Sequence, residues 1–227
     1  MTQAFMSFLV SQELGVKTVA ILGGSSRDPE VRVLESLFPN AKTYFFDIDN
    51  PTSDANFIYL DINETFSIPE FESFFDLVVS SQVLEHIWNH ANYFSLVSEM
   101  THRGSLVWLN CPKSNLEHGS PQYYAAGFTA SYLANNLSNQ GFQVLHSGEA
   151  GNKRYYLAVH FARYWQTQQE NSNPILRYNF QPGTKFGILR KFLLELPSRL
   201  LLTVIPQGKS KESEWATESY VGARKER

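Results

Sequence analysis

Glycine and aspartate residues follow the first three apolar, strand-like runs of the sequence. Gly23 and Gly24 come directly after TVAIL, Asp47 and Asp49 close the next run, and Asp61 follows FIYL. Asp47 lies 24 residues beyond Gly23, close to the spacing at which an acid after a second strand accepts hydrogen bonds from ribose hydroxyls. Ligands of open α/β sheets bind beyond the carboxyl ends of the strands. The pattern therefore indicates a site for a dinucleotide or an adenosyl compound.

The turn LGGSSRD favours one of these ligands over the other. A pyrophosphate would bind the free N–H groups of a helix N-terminus, but Asp28 lies at that position and a third glycine is missing. An acid there repels a diphosphate and tolerates a ligand that carries ammonium and sulfonium charges. The sequence also lacks a G-x-x-x-x-G-K-[ST] loop. The residues thus favour S-adenosylmethionine over NAD or ATP.

A purely structural interpretation of the same residues stays open. Asp47 and Asp49 are suited to capping the turn before Pro51, and Asp61 is suited to a turn after its strand. His86 could simply begin a helix, and Cys111 before Pro112 is typical of a small buried residue rather than a nucleophile, because no base is evident beside it.

Strand-like and helix-like runs alternate from Lys17 onward, which predicts the elements that position these residues. The alternation is typical of an α/β fold with a Rossmann-like, mostly parallel sheet of seven strands and helices on both faces. Only SGEAGNKR separates the last two predicted strands, so we expect a C-terminal antiparallel hairpin. The predicted strands are 18–22, 43–46, 57–60, 77–80, 106–110, 143–146 and 155–161, and the clearest predicted helices are 29–38, 90–100 and 129–139.

Two longer stretches resemble a known family. FDLVVSSQVLEHIWN, from Phe75 to Asn89, resembles the fourth-strand motif of class I S-adenosylmethionine-dependent methyltransferases, in which a VLEH turn follows an apolar strand. HGSPQYYAAGFTASYLANNLSNQGFQVL resembles the stretch before the closing hairpin in the small-molecule and glycan branch of that family. The resemblance covers about residues 16–163. It implies methyl transfer from S-adenosylmethionine to a small-molecule or sugar-containing acceptor.

The resemblance also implies individual roles. Gly23 and Gly24, followed by Ser25, would form the turn beneath the methionine part of the cofactor, and Asp47 would bind the ribose diol, with Asp49 as a nearby second candidate. The other implied cofactor contacts are Asp61 and Ile62 at the adenine and Ser81 and Gln82 on the methyl-transfer side.

Methyl transfer to oxygen needs a base near the acceptor hydroxyl, and histidine is the residue most easily poised for that role. His86 and His118 are the catalytic candidates. Ile21, Ser25 and Arg27 depart from the family pattern, which has an acid before the first glycine and continues Gly-x-Gly-x-Gly. An alternative hypothesis is therefore a non-catalytic binding or scaffold protein with a degenerate methyltransferase fold.

Composition narrows the partners and the compartment. The net charge of −3 does not favour nucleic acid as a partner. A single cysteine is typical of a reducing, cytoplasmic environment and excludes a multi-cysteine metal site.

A polar linker predicts a boundary near residue 165, with a methyltransferase-like domain over 1–165 and an extension over 166–227. Segment 184–206 carries basic residues among leucines, so it could contact a membrane surface, a second subunit or the domain itself.

Overall fold

A computed structural model describes residues 2–12, 15–49, 53–115, 122–151, 156–157, 160–161, 200 and 216–226. Two short 3-10 helices, Pro69–Phe71 and Leu84–His86, accompany the longer elements. The helices are α1 (Thr2–Val10), α2 (Pro29–Leu37), α3 (His90–Glu99) and α4 (Ala130–Asn139); the strands are β1 (Thr18–Leu22), β2 (Lys42–Asp47), β3 (Phe57–Tyr59), β4 (Phe75–Ser81), β5 (Thr101–Pro112), β6 (Phe142–Ala150) and β7 (Glu218–Lys225).

The strands of the described ranges form one seven-stranded sheet in the order β3-β2-β1-β4-β5-β7-β6. Neighbouring strands from β3 to β5 run parallel, and β7 runs antiparallel to β5. The chain order reverses between β1 and β4, and in sheets of this kind the ligand crevice lies outside the carboxyl ends at such a reversal. The predicted α/β, mostly parallel sheet with antiparallel C-terminal strands is confirmed.

The identity of the last strand was predicted wrongly. Residues 156–157 and 160–161, which fall within the strand predicted over 155–161, are helical, and the seventh strand is β7. Residues 151–217 separate β6 from β7, so these sheet neighbours are not a short hairpin. β7 contains charged residues and a glycine, and its strand conformation depends on pairing with β5 more than one hundred residues earlier, which no local pattern reveals.

The chain divides into two compact units. One contains Met1–Glu149 together with Glu218–Arg227, and the other contains Ala150–Thr217. The end of the predicted extension thus belongs to the sheet, while the predicted boundary at 165 and all of segment 184–206 except Leu200 lie outside the described residues. Within the described residues, no helix is both long and apolar enough to cross a bilayer.

Successive side chains along each strand point to opposite faces of the sheet and so form two separate apolar layers. In β1, Ala20 and Leu22 face one layer, and Val19 and Ile21 face the other. The first layer packs on α3 and α4, and the second packs on α1 and α2, where Trp108 of β5 lies against two phenylalanine rings of α1. Helices therefore cover both faces, as predicted.

A half-buried carboxylate at the opposite end of the sheet ties β1 to β4. Asp76 Oδ2 accepts hydrogen bonds from the N–H groups of Lys17 and Thr18, at 2.8 and 2.9 Å, and its Oδ1 lies 3.1 Å from His102 Nε2. Burial alone would raise the pKa of Asp76, but the hydrogen bonds from Lys17 and Thr18 outweigh it and hold the pKa below its ordinary value of 3.8. The ionised form is therefore the one that the folded state favours.

We expect the Asp76→Asn variant to lower the free energy of unfolding by about 1–3 kcal/mol at neutral pH, because the charge-assisted hydrogen bonds are weakened. A depressed carboxylate pKa contributes stability above the ordinary value and loses it as the pH falls through the folded-state value. The difference from the original protein should therefore shrink on acidification. Urea unfolding at neutral and acidic pH measures this effect, and the exposed Glu70→Gln change is the control; an unchanged difference at acidic pH would contradict it.

Candidate functional site

A pocket of about 320 Å³ lies at the carboxyl ends of β1, β2, β3 and β4. The four strands deliver one polar or turn residue each to this place, as expected for parallel strands whose ends meet at one edge. We call it the first pocket. Its lining residues are Gly23, Phe46, Asp47, Ile48, Leu60, Asp61, Ile62, Asn63, Gln82, Val83, His86, Ile87 and Gln122.

Gly23 begins the turn after β1 and has a conformation that favours glycine. Its φ is +65°, and a Cβ at this position would overlap the Val83 side chain. Its N–H donates to the Phe46 carbonyl at 2.7 Å, which fixes the turn against the end of β2. The backbone of Gly23 thus lies open to the pocket where a side chain would not fit.

Asp47 ends β2 and faces the first pocket. Its Oδ1 accepts hydrogen bonds from the N–H groups of Ile48 and Asp49, at 2.6 and 3.3 Å. Burial raises the pKa of Asp47, against the effect of these two bonds. Within the described residues, both hydrogen bonds to this carboxylate go to Oδ1. Asp47 can therefore cap its own turn through Oδ1 and accept a hydrogen bond from a ligand through Oδ2.

Asp61 and Ile62 follow β3 and form the far wall of the pocket. Asp61 Oδ1 accepts a hydrogen bond from the Asn63 N–H at 3.0 Å, so this acid also shapes its own turn. Ile62 is buried and joins the apolar layer under α3. The wall thus offers an apolar surface beside a carboxylate, an arrangement suited to a flat heterocycle with polar edges.

Gln82 follows β4 with a φ of +58°, which is uncommon for a residue other than glycine. Its N–H donates to the Asn110 carbonyl at 3.0 Å, so pairing with β5 holds the unusual conformation. Such conformations persist where the surrounding structure determines them, and they concentrate at functional sites. Gln82 lines the first pocket and also the second pocket described below.

His86 ends the 3-10 turn after β4 and lines the first pocket. Its Nδ1 hydrogen-bonds the Gln122 carbonyl. A carbonyl only accepts, so Nδ1 must carry the proton, and in the neutral ring the lone pair lies on Nε2. Nε2 lies 3.9 Å from the buried Glu85 Oε1, so a proton taken up at Nε2 would face a carboxylate.

Glu85, beside His86, is 0% exposed. Within the described residues its two carboxylate oxygens have no hydrogen-bond partner, and burial raises the pKa of this side chain. Its backbone carbonyl accepts the Tyr124 N–H at 2.9 Å and so holds the segment that carries Gln122. Burial likewise raises the pKa of the nearby Cys111 thiol, which suits a packing residue and not a nucleophile.

A second pocket, of about 410 Å³, adjoins the first, and Gly23 and Gln82 line both. It lies between the start of α2 and the ends of β4, β5 and β7 that meet at the carboxyl edge of the sheet. Its lining residues are Thr2, Gly23, Asp28, Pro29, Glu30, Ser81, Gln82, Asn110 and Glu218.

Comparison with known proteins finds similar structures, whereas two comparisons by sequence find no match. No protein-family model and no curated protein matches the chain. Among solved structures, a Galdieria sulphuraria protein assigned as a sarcosine dimethylglycine methyltransferase aligns with a TM-score of 0.60 at 13% identity, over 99% of this chain and 84% of its own. The [4+2]-cyclase SpnF aligns with a TM-score of 0.58 at 12% identity, over 97% and 79%.

A Haemonchus contortus phosphoethanolamine N-methyltransferase in complex with S-adenosyl-L-methionine aligns with a TM-score of 0.55 at 13% identity. That alignment covers 99% of this chain but 53% of the other, so the chain spans about half the length of that enzyme. The fold is that of the class I methyltransferases. At these identities the likeness establishes the fold, and the cyclase illustrates that different chemistry occurs on it.

The methyltransferase fold brings most of the predicted site residues together. Gly23, Asp47, Asp61, Ile62, Gln82 and His86 line the first pocket, and Ser81 lines the second. The exposed Asp49, together with Gly24 and Ser25, lines neither pocket. Ser25 instead donates its N–H to Asp28 Oδ2 at 2.7 Å. Gly24 and Ser25 therefore belong to the turn that follows Gly23. His118 lies outside the described residues.

Several lining residues were not found from the sequence. Asn110 and Glu218 belong to different strands and meet only through the pairing of β5 with β7. A signal was present in Asn110, because a polar residue in the apolar run LVWLNCP at the end of a central strand is unusual. Glu218 offered no such signal, since it stands in a charged stretch typical of a solvated tail.

Proposed function

We propose that the protein is an S-adenosylmethionine-dependent methyltransferase that acts on a small-molecule or sugar-containing acceptor. The observation that carries the proposal is the meeting of Gly23, Asp47 and Ile62 in one pocket at the strand-order reversal of a class I methyltransferase fold. The residues suit the adenosyl group by their chemistry, because they combine a carboxylate acceptor, an apolar wall and a turn without a side chain.

Three residues would hold the cofactor. Asp47 would accept hydrogen bonds from the ribose hydroxyls, since a carboxylate is an acceptor for such donors. Ile62 would pack against the adenine, and Gly23 would let the backbone approach the methionine part closely. The bound cofactor supplies a methyl group on a positively charged sulfur, ready for in-line displacement.

The chain's contribution to the reaction would be positioning and proton transfer. Aligning the acceptor with the methyl group converts a two-body encounter into a step within one complex, which is a large source of rate enhancement. For a hydroxyl acceptor, His86 would take the proton at Nε2, because its Nδ1 proton is held by the Gln122 carbonyl. The rigid sheet edge fixes these groups relative to each other.

The alternative function is a non-catalytic binding protein on the same fold. The observation in its favour is Ile21, which is 4% exposed within the apolar layer under α2. An acid is usual at that position in the family that the sequence resembles. The two functions differ in turnover and not in the location of the pocket.

Calorimetric titration with S-adenosylmethionine and S-adenosylhomocysteine tests the proposal, with NADH as the comparison ligand. We expect saturable binding of both adenosyl compounds and none of NADH, because Asp28 caps the turn where a diphosphate would bind. Absence of heat and of a thermal shift with both adenosyl ligands would overturn the proposal. Binding without methyl transfer to any acceptor tested would favour the binding protein.

A further inference from the structure

The second pocket has a strongly acidic lining built from separate parts of the chain. Asp28 and Glu30 come from the start of α2, and Glu218 comes from the start of β7. No lysine, arginine or histidine is among the described residues that line it. Glu30 is 6% exposed, so a positively charged ligand group in this pocket would meet a carboxylate that is largely shielded from water.

An independent observation points to a hydrogen-bond donor as the ligand group. Asn110 is 4% exposed, lines the second pocket, and has an Oδ1 that finds no hydrogen-bond partner among the described residues. Ser81 Oγ, in register with Asn110 across β4 and β5, is also buried without a partner there. A buried amide oxygen without a donor is unfavourable, so a ligand that supplies an N–H or O–H group to it gains affinity.

We propose that the second pocket binds the methyl acceptor and that this acceptor is an alkylamine. A protonated amine offers a positive charge to Asp28, Glu30 and Glu218 and an N–H donor to Asn110 Oδ1, so one small group satisfies both features. Gly23 and Gln82 line both pockets, so an amine in the second pocket lies next to a ligand in the first. The inference rests on the proposed function and names its substrate class.

The transfer step balances with groups already named. The ammonium gives one proton to the Glu218 carboxylate, and the freed nitrogen lone pair forms the bond to the methyl carbon. The carbon–sulfur bond breaks with its electron pair remaining on sulfur, which loses its positive charge. The product is the methylated ammonium, and Glu218 returns its proton to solvent.

The acidic lining suits an alkylamine better than it suits the amino-acid end of the cofactor. That end carries a carboxylate as well as an ammonium group, and the carboxylate would meet three acids without a basic side chain from the described lining. An alkylamine has no such group. The two assignments predict different effects on S-adenosylhomocysteine affinity, which makes them separable.

Titration with 1-propylamine and its neutral analogue 1-propanol, with and without saturating S-adenosylhomocysteine, tests the proposal by saturation-transfer NMR. We expect the amine to bind and the alcohol not to bind. In the Glu218→Gln variant the amine affinity should fall by about tenfold or more, and S-adenosylhomocysteine affinity should stay unchanged. The charge-preserving Glu218→Asp variant should retain most of the amine affinity.

Glu226→Gln is the matched control, because Glu226 is an exposed acid just beyond the opposite end of β7. It should change neither affinity, and equal thermal unfolding of the two Gln variants verifies folding. Equal binding of amine and alcohol, or an equal loss of S-adenosylhomocysteine affinity in Glu218→Gln, would overturn the inference. Failure of S-adenosylhomocysteine to bind at all overturns the proposed function instead, and the amine titration of the free protein still reports on the pocket.

Discussion

Replacing Asp47 with alanine is expected to weaken S-adenosylhomocysteine binding by about 10- to 100-fold, the loss typical of hydrogen bonds to one charged acceptor. Asp47 lies at the end of β2 and lines the first pocket, so its removal would leave the ribose hydroxyls of the proposed cofactor without this acceptor. Isothermal titration calorimetry measures the change. The protein should remain folded, because the side-chain bonds of Asp47 to described residues serve only its own turn.

Asp49→Ala is the matched control for this substitution. Asp49 is an exposed acid two residues away and lines neither pocket, so its removal should leave the affinity within about twofold. Equal losses in the two variants would show that the segment contributes only a general negative charge. An unchanged affinity in Asp47→Ala would contradict the assignment of the ribose site.

The same carboxylate predicts a pH dependence of binding. Burial raises the pKa of Asp47, so the ionised acceptor is lost at a higher pH than for an ordinary aspartate. Affinity should therefore fall as the pH decreases through this raised pKa and level off above it. The Asp47→Ala variant should lack this fall, and titrations of both proteins over the acidic range provide the measurement.

The Gly23→Ala variant is expected to have the largest effect on stability, lowering the free energy of unfolding by about 2–4 kcal/mol. Part of the loss comes from an alanine at a φ of +65°, and part from overlap of its Cβ with Val83. Because the turn would shift, S-adenosylhomocysteine binding should also be lost. Urea unfolding and calorimetry measure the two effects.

Two further variants separate the cost of the backbone conformation from the cost of overlap with Val83. Gly104 has a φ of +93°, and a Cβ added there would have open space within 4 Å, so Gly104→Ala should show the backbone cost alone, about 1–2 kcal/mol. The Gly23→Ala/Val83→Ala double variant should lose less stability than the two single changes added together, since removal of the valine methyl groups relieves the overlap. Strict additivity would contradict a steric role for Val83.

The amino-acid sequence was sufficient for the fold class and for much of the first pocket. Both follow from local patterns, because parallel strands buried on two faces read as short apolar runs and their carboxyl ends share one edge. The strand TVAIL, the turn at Gly23 and the position of Asp47 were recognisable for this reason. The departure at Ile21 was also visible, and its burial in the apolar layer agrees with its residue type.

Tertiary structure alone identified the second pocket and the last strand. Asn110 and Glu218 lie 108 residues apart in the chain, and they meet because β7 inserts antiparallel to β5, between β5 and β6. The pairing of distant strands depends on backbone hydrogen bonds and packing that leave little trace in either segment's own pattern. From the sequence, an acid in a charged stretch is therefore predicted to be exposed to solvent. In the folded protein Glu218 lines a pocket, and burial raises its pKa.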